Sequence, residues 1–283
     1  MERHLIAIDL DGTLLNNDSK IPLKNKEVIH KLLDKGHMVV LATGRPFHAT
    51  IDIYNELDLS TPVITDNGGN IREPKNPKFQ IVTDGITVEV AHKLFLYTKE
   101  HLVSAFYSYG DHIYAYKYLD RLHNIFMGSQ NAKIIHAEFD QLQHTPTGMI
   151  YLVENAFMQN FESYINNDLK DEVGFRLWGS DSKHAVYEIY KTGSSKLSAI
   201  LWVADHFGID KKNTIAFGDG LNDIEMIQGV ALGLAMPNGT AELKAVADKI
   251  LDIDNDNAGV GHFLEQYFNL FGFYTIYFIE PFF

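Results

Sequence analysis

An apolar run that ends in two aspartates lies almost at the start of the chain. Residues 5–8 read Leu-Ile-Ala-Ile, and residues 9–13 read Asp-Leu-Asp-Gly-Thr. Four consecutive apolar residues that stop at acidic residues and glycine are typical of a strand covered on both faces. Such strands belong to parallel sheets flanked by helices, and the functional loops of these sheets follow the carboxyl ends of the strands. The sequence therefore predicts that Asp9 and Asp11 follow the first strand of a parallel sheet.

The segments that follow alternate between predicted helices and predicted strands. Apolar residues recur at helical spacing over residues 28–33, and apolar runs at 38–42 and 62–65 indicate two further strands. The same order returns late in the chain, at residues 195–207, 214–217 and 230–234. Strand–helix–strand repeats form right-handed units around a parallel sheet. The predicted fold class is therefore α/β, with a Rossmann-like, doubly wound parallel sheet as its core.

The pattern changes between residues 84 and 191. Predicted helices at 88–102 and 157–169 alternate there with short strands, two of which flank Gly110-Asp111, a pair typical of a tight hairpin turn. Mixed helices and hairpins indicate an α+β unit inserted into the first pattern. The predicted domains are a discontinuous core at residues 1–83 and 192–283 and an inserted α+β cap at residues 84–191.

Two more predicted strand ends carry polar loops. They are Thr43-Gly44-Arg45 and the run Gly-Asp-Gly-Leu-Asn-Asp at residues 218–223. Because ligands of doubly wound sheets bind beyond the carboxyl ends of the strands, the aspartates of these loops should share one crevice. Their repulsion would raise some of their pKa values unless a hard divalent cation lay among them, and oxygen ligands suit magnesium. The sequence therefore predicts a Mg²⁺ site among Asp9, Asp11, Asp219 and Asp223.

These loops, together with Lys196 in Gly-Ser-Ser-Lys at residues 193–196, resemble the haloacid dehalogenase superfamily. Within it, the chain is similar to the Cof-type phosphatases that carry a type IIB cap, over residues 4–268. The resemblance implies that Asp9 is the nucleophile and forms an aspartyl-phosphate. It implies that Asp11 protonates the leaving oxygen and later accepts a proton from the attacking water.

The same resemblance implies which residues hold the phosphoryl group and the metal. The implied phosphoryl ligands are a main-chain N–H of Leu10 or Gly12, with Thr43, Gly44, Lys196 and Asn222. The implied magnesium ligands are the Asp9 side chain, the Asp11 carbonyl and Asp219, with Asp223 acting directly or through water. Arg45 stays open, since contact with substrate and a surface ion pair explain it equally well.

The implied activity is magnesium-dependent hydrolysis of small phosphomonoesters, with sugar phosphates as the expected class. Two alternatives stay open at this point. A phosphomutase or phosphotransferase of the same superfamily would share these motifs, and would yield an isomeric or transferred phosphate. A noncatalytic sensor of phosphate or metal could use the same acidic pocket, although it would have no need of both Asp9 and Asp11.

Composition restricts the partners. The chain has 24 Lys and Arg against 37 Asp and Glu, a formal net charge of −13, which argues against a nonspecific nucleic-acid binder. It has no cysteine, which fits a reducing compartment, and no apolar run near the roughly 18 residues of a membrane span. We therefore expect a cytoplasmic enzyme whose partner is a small phosphorylated molecule, with its oligomeric state open.

Two features depart from the family pattern, and one segment lies beyond it. Leu197 stands where a glycine often follows the lysine, and Asn257-Ala258 interrupts an Asp-Gly pair that is common near the end. The aromatic-rich tail, residues 270–283, lies beyond the resemblance. We expect no catalytic role for the tail.

Overall fold

The computed structural model describes residues 2–109, 112–119 and 133–270. The strands, in chain order, are β1 Leu5–Ile8, β2 Met38–Ala42, β3 Val63–Thr65, β4 Asn70–Arg72, β5 Val82–Thr83, β6 Leu102–Tyr109, β7 His112–Tyr116, β8 Lys133–His136, β9 Gly148–Glu154, β10 Val173–Ser180, β11 His184–Lys191, β12 Thr214–Gly218, β13 Leu232–Ala235 and β14 Lys249–Ile250. The helices are α1 Leu23–Asp34, α2 Ile51–Glu56, α3 Val88–Thr98, α4 Met158–Asp168, α5 Lys196–His206, α6 Ile224–Gly229, α7 Ala241–Val246 and α8 Gly259–Tyr267.

The first sheet contains eight strands in the order β14-β13-β12-β1-β2-β3-β4-β5. Its strands from β14 to β3 are parallel, and β4 and β5 extend it with antiparallel pairs. Side chains alternate along β1, so Ile6 and Ile8 pack toward α1 and α8, while Leu5 and Ala7 pack toward α5. The sheet is therefore covered on both faces, and the predicted doubly wound α/β core is confirmed.

The second sheet contains six strands in the order β10-β11-β9-β6-β7-β8. All of its pairs are antiparallel except β7 with β8. One face packs against α3 and α4 around the buried rings of Tyr107, Tyr151 and Tyr187. The predicted hairpin strands pair as β6 and β7, and the turn residues Gly110 and Asp111 lie outside the described residues. The second sheet with its helices has the predicted α+β character, while the cap boundaries at 84 and 191 stay a prediction.

One predicted helix is too long. The sequence pattern extends it to residue 102, but α3 ends at Thr98 and Leu102 begins β6. The Thr98 hydroxyl donates to the carbonyl oxygens of Leu94 and Phe95, and the His101 main-chain N–H donates to the Thr98 carbonyl in a turn. The apolar residue at 102 therefore belongs to the sheet and not to the helix face.

Two expectations from the sequence concern the aromatic tail and a membrane span. Residues 271–283 of the tail lie outside the described residues, so the expected lack of a catalytic role stays a prediction. Among the described residues, no helix combines the length and the apolar character that crossing a membrane requires.

A buried histidine beside β2 makes stability depend on pH. The His37 ring is 3% exposed, packs on the Phe268 ring, and its Nδ1 accepts a hydrogen bond from the His4 main-chain N–H. Burial, with repulsion from His4 and Lys35, lowers the pKa of His37 to about 4. The unfolded chain binds this proton near pH 6.5. Lowering the pH from 7 to 5 should therefore reduce the free energy of unfolding by about 2 kcal/mol through this residue.

Urea unfolding at both pH values checks this expectation. The matched variant is His37→Asn, whose amide oxygen can accept the same hydrogen bond from His4 but does not titrate. The variant should lose less stability than the parent between pH 7 and 5. Equal losses in the two proteins would contradict the assignment to His37.

Candidate active site

Asp9 lies at the centre of the carboxyl edge of the first sheet. It directly follows β1, and its main-chain N–H donates to the Phe217 carbonyl on neighbouring β12. Its side chain is buried and lines a cavity of about 930 Å³ between the two sheets. One carboxylate oxygen, Oδ1, lies 2.6 Å from the Lys196 ammonium nitrogen. The positive charge of Lys196 therefore lies directly beside this buried carboxylate.

Lys196 brings two aspartates from distant parts of the chain together. Its Nζ lies 2.6 Å from Asp9 Oδ1 and 2.6 Å from Asp223 Oδ1, and its side chain is fully buried. Burial opposes its charge, but the attraction of Asp223 and Asp9 outweighs burial, so the pKa of Lys196 is raised. Lys196 begins α5, where a cation gains nothing from the helix dipole. A reciprocal cap between Ser195 and Ser198 stabilises this helix start.

The second acidic loop is held by its own main chain and by the first loop. Asp223 Oδ2 accepts hydrogen bonds from the main-chain N–H groups of Asp219 and Gly220, at 3.0 and 2.9 Å. The Thr13 hydroxyl donates to Asp219 Oδ1 at 3.1 Å. Gly12 has φ +73°, and a Cβ on it would lie 2.3 Å from Asp219 Oδ2. Position 12 therefore requires glycine for both its backbone conformation and its close approach to Asp219.

The carboxylates of Asp9, Asp219 and Asp223 form a group suited to a cation. Each offers an oxygen within 4.8 Å of the others. Burial is the main cause that raises the pKa of Asp9 to about 8 and that of Asp219 to about 6, and the negative charge of Asp223 adds to both. Within this group, three carboxylates face the single ammonium of Lys196. A hard divalent cation, which prefers oxygen ligands, fits this excess of negative charge.

Asp11 differs from the other aspartates. Its side chain is 58% exposed and forms a two-bond ion pair with Arg45, in which Nε donates to Oδ2 at 2.8 Å and Nη2 donates to Oδ1 at 2.5 Å. The Asp11 carboxylate therefore lies outside the buried acidic group, and its carbonyl as a metal ligand stays a prediction. Arg45, which the sequence left open, contacts this second aspartate of the Asp-x-Asp pair.

The remaining predicted phosphoryl ligands divide between the cavity wall and the core. Thr43, Gly44 and Asn222 line the cavity, and Asn222 Nδ2 donates to Asn67 Oδ1 at 2.9 Å. A Cβ on Gly44 would lie 3.0 Å from Asn67 Oδ1, so this loop passes close to Asn67. The Leu10 side chain is fully buried, which leaves only its main chain for a ligand. The structure thus brings Thr43, Gly44 and Asn222 to one cavity, whereas Lys196 is buried beside Asp9 and does not line it, and the roles of all four stay predictions.

Sequence reasoning missed the opposite wall of the cavity. Arg176, Glu188, Ile150 and Phe106 are paired in one row across β10, β11, β9 and β6, and all four line the cavity. Trp178, also on β10, lines it as well and is 50% exposed. Glu188 stands in an alternating strand pattern that gives no sign of function. Only the packing of the second sheet over the first brings these side chains to the site.

The two departures from the family pattern are accommodated locally. A Cβ on Gly229 would lie 2.2 Å from Leu197 Cδ2, so the leucine side chain occupies space that the missing side chain of Gly229 leaves. Ala258 has φ +59°, a left-handed conformation that glycine adopts without strain.

Comparisons with known proteins agree with this geometry. A family model of haloacid dehalogenase-like hydrolases matches residues 6–264. The Bacillus subtilis protein YitU, a 5-amino-6-(5-phospho-D-ribitylamino)uracil phosphatase, is 28% identical over 269 residues, which cover 94% of this chain and 98% of YitU. A haloacid dehalogenase-like hydrolase structure from Bacteroides thetaiotaomicron has a TM-score of 0.79 at 25% identity, covering 94% of this chain and 100% of that chain.

A solved subclass IIB sugar phosphatase shares the fold. Its TM-score is 0.74 at 21% identity, and the match covers 94% of this chain and 99% of that chain. The core sheet with a second, cap-like sheet is therefore the architecture of this subclass. The enzyme class predicted from the sequence, a hydrolase of phosphoric monoesters, is confirmed. The chain belongs to the haloacid dehalogenase-like hydrolases.

Proposed function

We propose that the protein is a magnesium-dependent phosphatase that hydrolyses small phosphomonoesters through an aspartyl-phosphate on Asp9. The observation that carries this proposal is the position of Asp9, which lines the cavity while its Oδ1 lies 2.6 Å from the buried Lys196 ammonium. With one oxygen of the carboxylate held, the other is the oxygen that attacks phosphorus. The attack forms the bond from Asp9 to phosphorus and breaks the bond from phosphorus to the leaving oxygen.

Asp11 has the position of an acid and base for this chemistry. It lies two residues after the nucleophile and lines the same cavity with an exposed side chain oriented by Arg45. In the first step the leaving oxygen takes the proton of Asp11. In the second step water attacks the phosphorus of the aspartyl-phosphate and gives a proton to Asp11. This attack breaks the bond from phosphorus to Asp9, so phosphate is released and the Asp9 carboxylate is restored.

Other residues of the site bind and orient the phosphoryl group. Thr43, Asn222 and the ammonium of Lys196 supply donors, and the main chain at Leu10 and Gly44 allows close approach. Asp9, Asp219, Asp223 and the Asp11 carbonyl would hold Mg²⁺. When bound, the cation neutralises the negative charge that builds up on the phosphoryl oxygens.

Removal of the metal should stop the reaction. Because neutralising this charge is worth several kcal/mol, chelation by EDTA should lower turnover by at least about 100-fold, and added Mg²⁺ should restore it. Calcium should restore little, because it takes more ligands at longer distances and would misplace Asp9. Phosphate release with each metal is the measurement, and circular dichroism controls for unfolding. Full turnover in excess EDTA would refute the magnesium requirement.

The substrate class is proposed from the cavity and the relatives. About 930 Å³ exceeds the space that a phosphoryl group needs, and the second sheet adds aromatic and charged side chains to its wall. Because YitU is named for a phosphorylated ribityl compound, we place sugar phosphates and similar metabolites first. A screen of phosphorylated metabolites with Mg²⁺ tests this. Released phosphate supports a phosphatase, an isomeric phosphate indicates a phosphomutase, and binding without reaction indicates a sensor.

The domain division and location belong to the same proposal. All strands of the second sheet lie between Leu102 and Lys191, which supports a cap at 84–191 over a core at 1–83 and 192–283.

The absence of cysteine fits a reducing compartment, and we place the enzyme in the cytoplasm. Fractionation of cells that produce the protein tests this location.

A further inference from the structure

One carboxylate joins the two sheets inside the cavity. Glu188, on β11, is 8% exposed, and its Oε1 accepts a hydrogen bond from Asn67 Nδ2 at 2.6 Å. Its Oε2 accepts one from the Trp178 indole N–H at 3.1 Å and lies 3.3 Å from Arg176 Nη1. Glu188 therefore contacts the loop after β3 with one oxygen and the β10 wall with the other.

The side chain of Asn67 continues this connection into the phosphoryl pocket. Asn67 follows β3 with φ +54°, and its Oδ1 accepts from Asn222 Nδ2 at 2.9 Å. An ionised carboxylate only accepts hydrogen bonds, so the Asn67 side chain must direct its NH₂ group toward Glu188. The amide oxygen must then face Asn222. An inverted Asn67 amide would oppose its NH₂ group to that of Asn222, so Glu188 fixes the orientation of both asparagines.

We propose that Glu188 is a positioning residue that couples the wall facing the leaving group, at Trp178 and Arg176, to the alignment of Asn222 at the phosphoryl group. The chain of contacts runs from Trp178 through Glu188 and Asn67 to Asn222. The proposal rests on the proposed function, since it assigns Asn222 to the phosphoryl group. A leaving group with a flat apolar face would contact the exposed ring of Trp178. A shift of that ring would then move Glu188 and Asn67, and with them Asn222.

Kinetics of Glu188→Gln test the positioning role. Glutamine has one oxygen and one NH₂ group, so it can accept from Asn67 or from Trp178 but not from both, and the contacts that lead from Trp178 to Asn222 are broken at one point. With p-nitrophenyl phosphate and Mg²⁺, kcat should fall about 10- to 100-fold, the worth of one hydrogen bond to a charged group, while KM changes less. The matched control is Glu162→Gln, a cap glutamate that accepts from the Tyr187 hydroxyl, and it should stay within about 2-fold. Equal effects of the two variants would overturn the proposal.

Fluorescence tests the coupling without turnover. The chain has two tryptophans, so Trp202→Phe leaves Trp178 as the reporter. Saturating inorganic phosphate with Mg²⁺ should change the Trp178 emission, because phosphate at Asn222 alters the contacts that lead to the indole. Glu188→Gln and Asn67→Ala, each in this background, should abolish the change. Asn67→Ala removes the contact between Glu188 and Asn222 from the core side. It therefore tests the coupling even if Glu188→Gln does not fold.

The outcomes separate the two proposals. Phosphate binding by calorimetry, with an emission change that both variants abolish, supports the coupling. Binding with no emission change, or with a change that persists in the variants, overturns the coupling and leaves the proposed phosphatase intact. Absence of phosphate binding to the parent protein, together with absence of phosphate release from p-nitrophenyl phosphate, overturns both.

Discussion

Replacing Asp9 with asparagine should abolish phosphate release from every phosphomonoester, whatever its leaving group. The neutral amide cannot attack phosphorus as a carboxylate does, so no phosphoenzyme forms. We expect a loss of more than about 10,000-fold in turnover, since the covalent route depends on this one group. The fold should persist, because Lys196 keeps its contact with Asp223 and one buried negative charge is removed. Phosphate release and thermal unfolding are the two measurements.

A matched control separates this effect from a general loss of charge. Asp58→Asn changes an exposed aspartate that pairs with Lys75 and has φ +49°, a conformation that asparagine also accepts. It should leave turnover unchanged. If Asp9→Asn, folded and free of contaminating phosphatase, retained turnover comparable to that of the control, Asp9 would not be the nucleophile.

Replacing Asp11 with asparagine should give a loss that depends on the leaving group. The nucleophile remains, but the proton donor and the later base are gone, and general acid–base catalysis is worth about 100- to 10,000-fold. Alkyl phosphates, whose leaving oxygen needs a proton, should lose that full factor. An activated aryl phosphate needs no proton to leave, so it should still transfer its phosphoryl group to Asp9.

The phosphoenzyme should then accumulate, because no base activates water. Rapid quenching followed by mass spectrometry should find one added phosphoryl group on the peptide that contains Asp9. Asp9→Asn provides the blank for this experiment. A label on another peptide, or equal losses with aryl and alkyl phosphates, would contradict the assigned roles of Asp9 and Asp11.

The core of the fold was predictable because its signals are local. A buried strand such as β1 is a continuous apolar run, and its end is marked by Asp9 and Gly12 within a few residues. The end of α3 was not predictable from apolar spacing, because the turn after Thr98 depends on hydroxyl and main-chain hydrogen bonds. Local pattern therefore locates elements better than it locates their ends.

The candidate site was predictable only in part. Asp9 and Asp223 lie in recognisable loops, but the position of Lys196 between them depends on the packing of α5 against the sheet, which brings it to Asp9 from 187 residues along the chain. Glu188 could not be identified as a site residue, because its strand pattern shows only an alternating sheet. Its contact with Asn67 depends on how the second sheet lies over the first, which no local pattern encodes.

The two places where the chain passes between the sheets lie side by side. The Lys191 ammonium pairs with the Asp84 carboxylate, and the Ser194 hydroxyl donates to the Asp84 carbonyl at 3.4 Å. Because Asp84 lies beside Lys191 and Ser194, the proposed cap at residues 84–191 would be an insertion whose two ends are adjacent. Such an insertion can be exchanged during evolution without shifting the register of the core strands. In the proposed phosphatase, selectivity for the leaving group could therefore diverge while the proposed phosphoryl-transfer residues around Asp9 stay unchanged.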